Sequence, residues 1–143
     1  MHVKVDVRFM DGSKEAVSEI GRLRDMALME GAVAMEGECV VRCPVRTGHL
    51  RMSIGRRVKL SDGSVSGSEK DGGLEGSPSG PGEAFVGTNV SYAPHVEYGT
   101  RYQKAQPYMR PGAVAAEPVI QRIFERRLGQ PVEVARMEDG DAF

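Results

Sequence analysis

Val3, Val5, Val7 and Phe9 alternate with Lys4, Asp6 and Arg8. A period of two sends one set of side chains to each face of a strand, so residues 3–9 are expected to form a strand with one buried face. Asp11-Gly12-Ser13 then supplies a turn and a hydroxyl that can accept a hydrogen bond from the first free N–H groups of a helix. Val17, Ile20, Leu23, Ala27, Ala34 and Val41 follow at spacings of three, four or seven, with Glu15, Glu19, Arg22, Asp25 and Glu36 on other faces. That spacing predicts a long amphipathic helix over 14–42. Gly31 and Gly37 each lower its propensity by roughly 1 kcal/mol relative to alanine, which implies close approach of another backbone or a local break. Pro44 ends it by disfavouring helical backbone at Cys43.

Ser53 to Leu60 reads as a strand with Ile54, Val58 and Leu60 on one face, and Ala84 to Val90 is its expected partner. The intervening 61–82 run is too poor in apolar side chains to offset the entropy of ordering it, so it is expected to be a flexible loop at the tip of a hairpin. Val114, Val119, Ile120, Ile123, Phe124 and Leu128 predict a second helix over 113–128, stopped by Gly129-Gln130-Pro131. Pro118 is expected to begin or kink its regular part. Val132 and Val134 allow a short last strand, and 138–143 is expected to fray. The whole pattern predicts a single α+β domain over 1–143, an antiparallel sheet packed against one long N-terminal helix and a shorter C-terminal helix.

The chain has 143 residues, 40% of them apolar and 27% charged, a composition that fits one globular core. No stretch is apolar enough for a membrane helix and the first residues lack a signal-peptide core, so no membrane partner is expected and folding is expected in the cytoplasm. The net charge of −1 hides a basic block, Arg42, Arg46, Arg51, Arg56, Arg57 and Lys59. Such a block meets phosphates, an acidic protein or only solvent.

Candidate chemistry is sparse. Cys39 and Cys43, four residues apart, fall on one helix face, where buried reduced thiols are the expectation. A Cys43–His49 dyad has no orienting third group, and Cys39, Cys43 and His49 lack a fourth zinc ligand. The glycines of 63–82 neither follow a parallel-type strand nor open a helix, as a phosphate-binding loop requires. Neither catalysis, a metal nor a cofactor is expected.

Three turn-rich clusters remain: Pro44-Val45-Arg46-Thr47-Gly48-His49-Leu50-Arg51-Met52-Ser53-Ile54, Tyr92-Ala93-Pro94-His95-Val96-Glu97-Tyr98-Gly99-Thr100, and Ala105-Gln106-Pro107-Tyr108-Met109-Arg110-Pro111-Gly112. In the second, Pro94 suits a first helical position and Gly99 a helix end. Together and in this order they resemble the pattern of the small tail-completion, or head-to-tail joining, proteins of long-tailed double-stranded DNA phages: P-x-x-T-G-x-L-[RK]-x-S-[IL], then Y-A-x-x-[VI]-E-[FY]-G-T, then A-x-P-[FY]-[ML]-R-P. The chain departs from that pattern at Gly112, where the family often has alanine, and in its glycine-serine loop.

The resemblance implies a non-enzymatic structural component of the neck or tail end of the virion, made in the host cytoplasm. It also implies a homo-oligomeric, hexameric ring beside connector or stopper proteins and tail-terminator or tail-tube proteins, close to double-stranded DNA. The alternative is a small nucleic-acid-binding accessory protein of phage assembly. As interface residues the clusters nominate Arg46, Thr47, Gly48, Tyr92, Glu97, Tyr98, Gly99, Thr100, Pro107, Tyr108 and Arg110. Glu97 is expected to pair with an arginine such as Arg46 or Arg110. The tyrosines offer large contact areas with one polar tip, core packing being the competing reading and the favoured one for Tyr92. Gly48 and Gly99 suit strained backbone, and Thr47 and Thr100 can cap nearby N–H groups.

Overall fold

The computed structural model describes residues 2–9, 18–46, 48–68, 82–129 and 132–140. The turn and cap at 11–13, Thr47, the loop stretch 69–81 and the tail residues 141–143 lie outside the described residues. The element order is β1 (His2–Phe9), α1 (Ser18–Arg42), α2 (His49–Ser53), β2 (Gly55–Lys59), β3 (Val65–Ser68), β4 (Glu83–Gly87), α3 (Ala93–Tyr98), α4 (Met109–Leu128) and β5 (Val132–Gly140). The five strands form one sheet in the order β3-β2-β4-β1-β5, and every neighbouring pair is antiparallel. The fold is α+β, with a long N-terminal helix and a C-terminal helix.

The expected pairing of the 53–60 strand with the 84–90 strand holds, in the register Val58↔Ala84 and Arg56↔Val86. Its first residue, Ser53, instead ends a short helix, in which the Gly48 carbonyl accepts the Met52 N–H at 2.9 Å and Ser53 turns its hydroxyl back onto the Leu50 carbonyl at 2.6 Å. The loop expectation for 61–82 is corrected over its first part. Asp62 folds the chain back by accepting the Ser64 N–H at 2.8 Å, and Val65–Ser68 then pairs with β2. Gly67 permits this, since a side chain there would run into the Arg56 carbonyl. Ladder hydrogen bonds, rather than apolar burial, hold this polar strand. In the same way Glu138, Asp139 and Gly140, expected to fray, pair with β1, opposite Lys4, Val3 and His2.

Helices α1 and α4 pack on each other and on one face of the sheet, enclosing Leu28, Ala32, Met35, Cys39, Val58, Ala84, Val86, Ile120 and Phe124. Gly31 faces the Ile120 side chain rather than another backbone: a side chain there would meet Ile120 at 3.5 Å, an ordinary packing distance. Gly37 is exposed within an unbroken helix and meets nothing. Helix α4 starts four residues before the expected 113, and Pro118 sits inside it. Asp25 accepts the Ser61 N–H and hydroxyl, and Glu36 pairs with Arg56, fastening α1 to the β2 end of the sheet.

Candidate functional interface

All three turn clusters lie at one end of α1. The first begins where that helix stops: Arg51 donates to the Cys43 carbonyl at 3.0 Å, folding the chain back under the helix end. It is tied to the segment after β4 by a buried pair, Ser53 Oγ and Thr88 Oγ1 at 2.5 Å, with the Val90 N–H donating to Thr88. Helix α3 carries Pro94 in its first turn and ends at Gly99, whose φ of 78° and close approach to Ala105 leave no room for a side chain. Thr100 Oγ1 accepts the Tyr102 and Gln103 N–H groups, the capping role foreseen for it. The Gln106 N–H then reaches the Val96 carbonyl at 2.8 Å, laying the third cluster beside α3.

Glu97 is the joint of this arrangement, and its role differs from the expected arginine pair. It is 2% exposed, and its carboxylate accepts the N–H groups of Tyr108, Met109 and Arg110 at 2.7, 2.9 and 3.0 Å. These are first-turn donors of α4, which a helix cannot satisfy itself, and the helix dipole favours a negative charge there. A buried carboxylate is thus satisfied by backbone.

Tyr108, nominated as an interface anchor, is fully buried, and burial pushes its hydroxyl well above the usual tyrosine range. Tyr98 is half-buried with the Arg110 guanidinium 5.2 Å from its ring centre, a cation–π contact. Tyr92, for which core packing was favoured, is instead 41% exposed. Arg46, Thr100, Pro107 and Arg110 are exposed, and Gly48, half-buried, has a φ of 82°.

Between α2, α3 and the 101–107 segment runs an open groove of about 960 Å³. Of the nominated residues it takes in Arg46, Gly48 and Tyr92; Glu97, Tyr98, Gly99, Thr100, Pro107, Tyr108 and Arg110 build its support or lie outside it. Val45, His49, His95, Gln103 and Gln106 also line it and were not nominated. A signal for four of them was present, since Val45, His49, His95 and Gln106 stand inside the clusters themselves. By contrast, the void between the helices and the sheet, lined by Leu28, Ala32 and Phe124 among others, holds about 10 Å³ and has no room for a ligand.

No protein family, curated protein or solved structure matches this chain.

Both thiols are shut away from solvent. Cys39 faces the Met109 carbonyl and Cys43 the Pro44 carbonyl, both are free and buried, and burial pushes Cys39 up to about 12 and Cys43 upward as well. A nucleophilic thiol needs the opposite shift. The basic block is partly neutralised within the chain, Arg42 pairing with Glu38 and Arg56 with Glu36. Among the described residues no helix is long and apolar enough to cross a membrane.

Proposed function

We propose that this chain is a non-enzymatic structural part of the neck or tail end of a long-tailed phage or phage-like particle. In the virion it works as a sixfold ring between connector or stopper proteins and tail-terminator or tail-tube proteins. The observation that carries this reading is the convergence of the three clusters on which the family resemblance rests. The first is far in sequence from the other two, yet all three meet at one end of the long helix, and they are braced from beneath by Glu97 and by the Ser53–Thr88 pair. Such bracing holds a surface in one shape before a partner arrives, which lowers the ordering cost of association. The internal pairing of Arg42 and Arg56 favours a protein contact over the nucleic-acid-binding alternative, because duplex affinity scales with the number of phosphates neutralised.

Native mass measurement tests the reading, on the purified chain alone and mixed with connector and tail-tube proteins encoded beside it. Six-copy assemblies, or a stable complex with those proteins, are the expected result. A chain that stays monomeric in both samples defeats it.

A further inference from the structure

We propose that the groove between α2 and α3 is a docking site for an extended acidic segment of a neighbouring protein. This deepens the assembly role proposed above and rests on it. Charge complementarity identifies the occupant. Arg46 brings a cation to the groove, His49 and His95 line it beside that cation, and among the described residues no carboxylate lines it. Arg46 is exposed, and among the described residues no carboxylate pairs with it. Its planar guanidinium suits a carboxylate, which it can hold through two parallel hydrogen bonds.

The remaining lining fits polypeptide. Val45 and Tyr92, 56% and 41% exposed, offer apolar contact beside the cation, and tyrosine is a common anchor residue. Gln103 and Gln106 carry amides that can both donate to and accept from an extended backbone. The walls are fixed before any partner binds, by the bonds from Gln106 to Val96, Met52 to Gly48 and Arg51 to Cys43. A volume of about 960 Å³ accommodates a run of residues rather than one ion. Nucleic acid is the poorer occupant: the net charge is −1, and one arginine in a short groove makes no phosphate track.

The test uses the full chain and a fluorescein-labelled peptide of alternating glutamate and leucine with a central phenylalanine. Its twin carries glutamine for glutamate, and random-sequence duplex DNA is the third probe. The acidic peptide is expected to bind about tenfold tighter than its twin, and Arg46→Ala to weaken it by a similar factor. Tyr92→Ala is also expected to weaken binding, whereas Arg122→Ala, which removes an equal charge from the exposed face of α4, leaves it unchanged. Circular dichroism of each variant secures that it is folded. Equal binding of the two peptides overturns the proposal, as does undiminished binding by folded Arg46→Ala. Preferential binding of the duplex, lost in Arg46→Ala, also overturns it and assigns the groove to phosphate. Rings that form normally from a chain deaf to the acidic peptide refute the groove and leave the assembly role. Peptide binding by a chain that never assembles does the reverse.

Discussion

Gly112 on α4 lies directly against Cys39 on α1: a methyl carbon built at Gly112 would stand 2.8 Å from the Cys39 Cα, N and Sγ. The two helices therefore touch backbone to backbone at this level. Gly112→Ala gains roughly 1 kcal/mol of helix propensity. Overpacking outweighs it, for a net loss of about 1–2 kcal/mol in urea unfolding. Adding Cys39→Ala should restore little, because two of the three clashing atoms belong to the backbone. A Gly112→Ala protein as stable as the original would show that the helices can separate freely.

Replacing Glu97 should damage the fold rather than only an assembly contact. Glu97→Ala leaves three buried or part-buried N–H groups at the start of α4 without their acceptor, and the expected loss is about 3 kcal/mol. Glu97→Gln keeps one acceptor oxygen and loses the charge that complements the helix dipole, so about half that loss is expected. Thermal melts of the two variants would read the order directly. Glu97→Ala melting with the wild type would contradict the joint described above.

The two thiols should be inert in the folded protein. With Cys39 pushed up to about 12 by burial, on the order of one molecule in 10⁴ carries a Cys39 thiolate at pH 8. A disulfide reagent such as dithionitrobenzoate is expected to modify neither cysteine on the time scale of its reaction with the denatured chain. Rapid native labelling of Cys39 would place that residue at the surface.

Glu30 supplies a pH-dependent fastening between the helices. Its carboxylate accepts from Arg127 at 2.7 Å and Arg126 at 2.5 Å, and the Arg127 bond first, then the Arg126 bond and both charges, hold it below the ordinary carboxylate range against a smaller opposing effect of burial. A depressed folded-state value means the stabilisation is present above the unfolded-state value and disappears as pH falls through the folded one. The cluster is open to solvent on its Arg126 side, so screening limits it to roughly 0.5 kcal/mol. The stability difference between the wild type and Glu30→Gln should hold near pH 7, fall as pH drops below the ordinary glutamate range, vanish once the folded-state carboxyl is protonated, and shrink in high salt. A difference that persists in acid would come from packing.

Much of the architecture was legible because the relevant signals are local. The alternation Val3-Val5-Val7-Phe9 and the spacing of the α1 apolar residues encode their elements within a few positions. Pro94 and Gly99 bracket α3 for the same reason. What sequence did not give depends on partners far along the chain. Val65-Ser66-Gly67-Ser68 has no apolar pattern, and it is a strand because β2 offers it a hydrogen-bonding edge. Glu97 reads from sequence as a partner for a nearby arginine, and only the return of residues 108–110 over α3 reveals its three backbone donors. Tyr92 and Tyr108 exchange their expected surroundings because nothing local distinguishes one tyrosine beside a turn from another. The groove follows the same logic: its pieces lie within and beside the three clusters, and their meeting is a property of the long-range fold.

The position of β1 between β4 and β5 has a consequence for biosynthesis. That strand leaves the ribosome before either neighbour, and both of its ladder edges stay open until β4 and then β5 have been translated. A nascent chain cut short before Val132 would carry an incompletely covered strand, so only chains translated through β5 can close the sheet. Premature products are expected to aggregate or be degraded, because an open strand edge pairs with other chains.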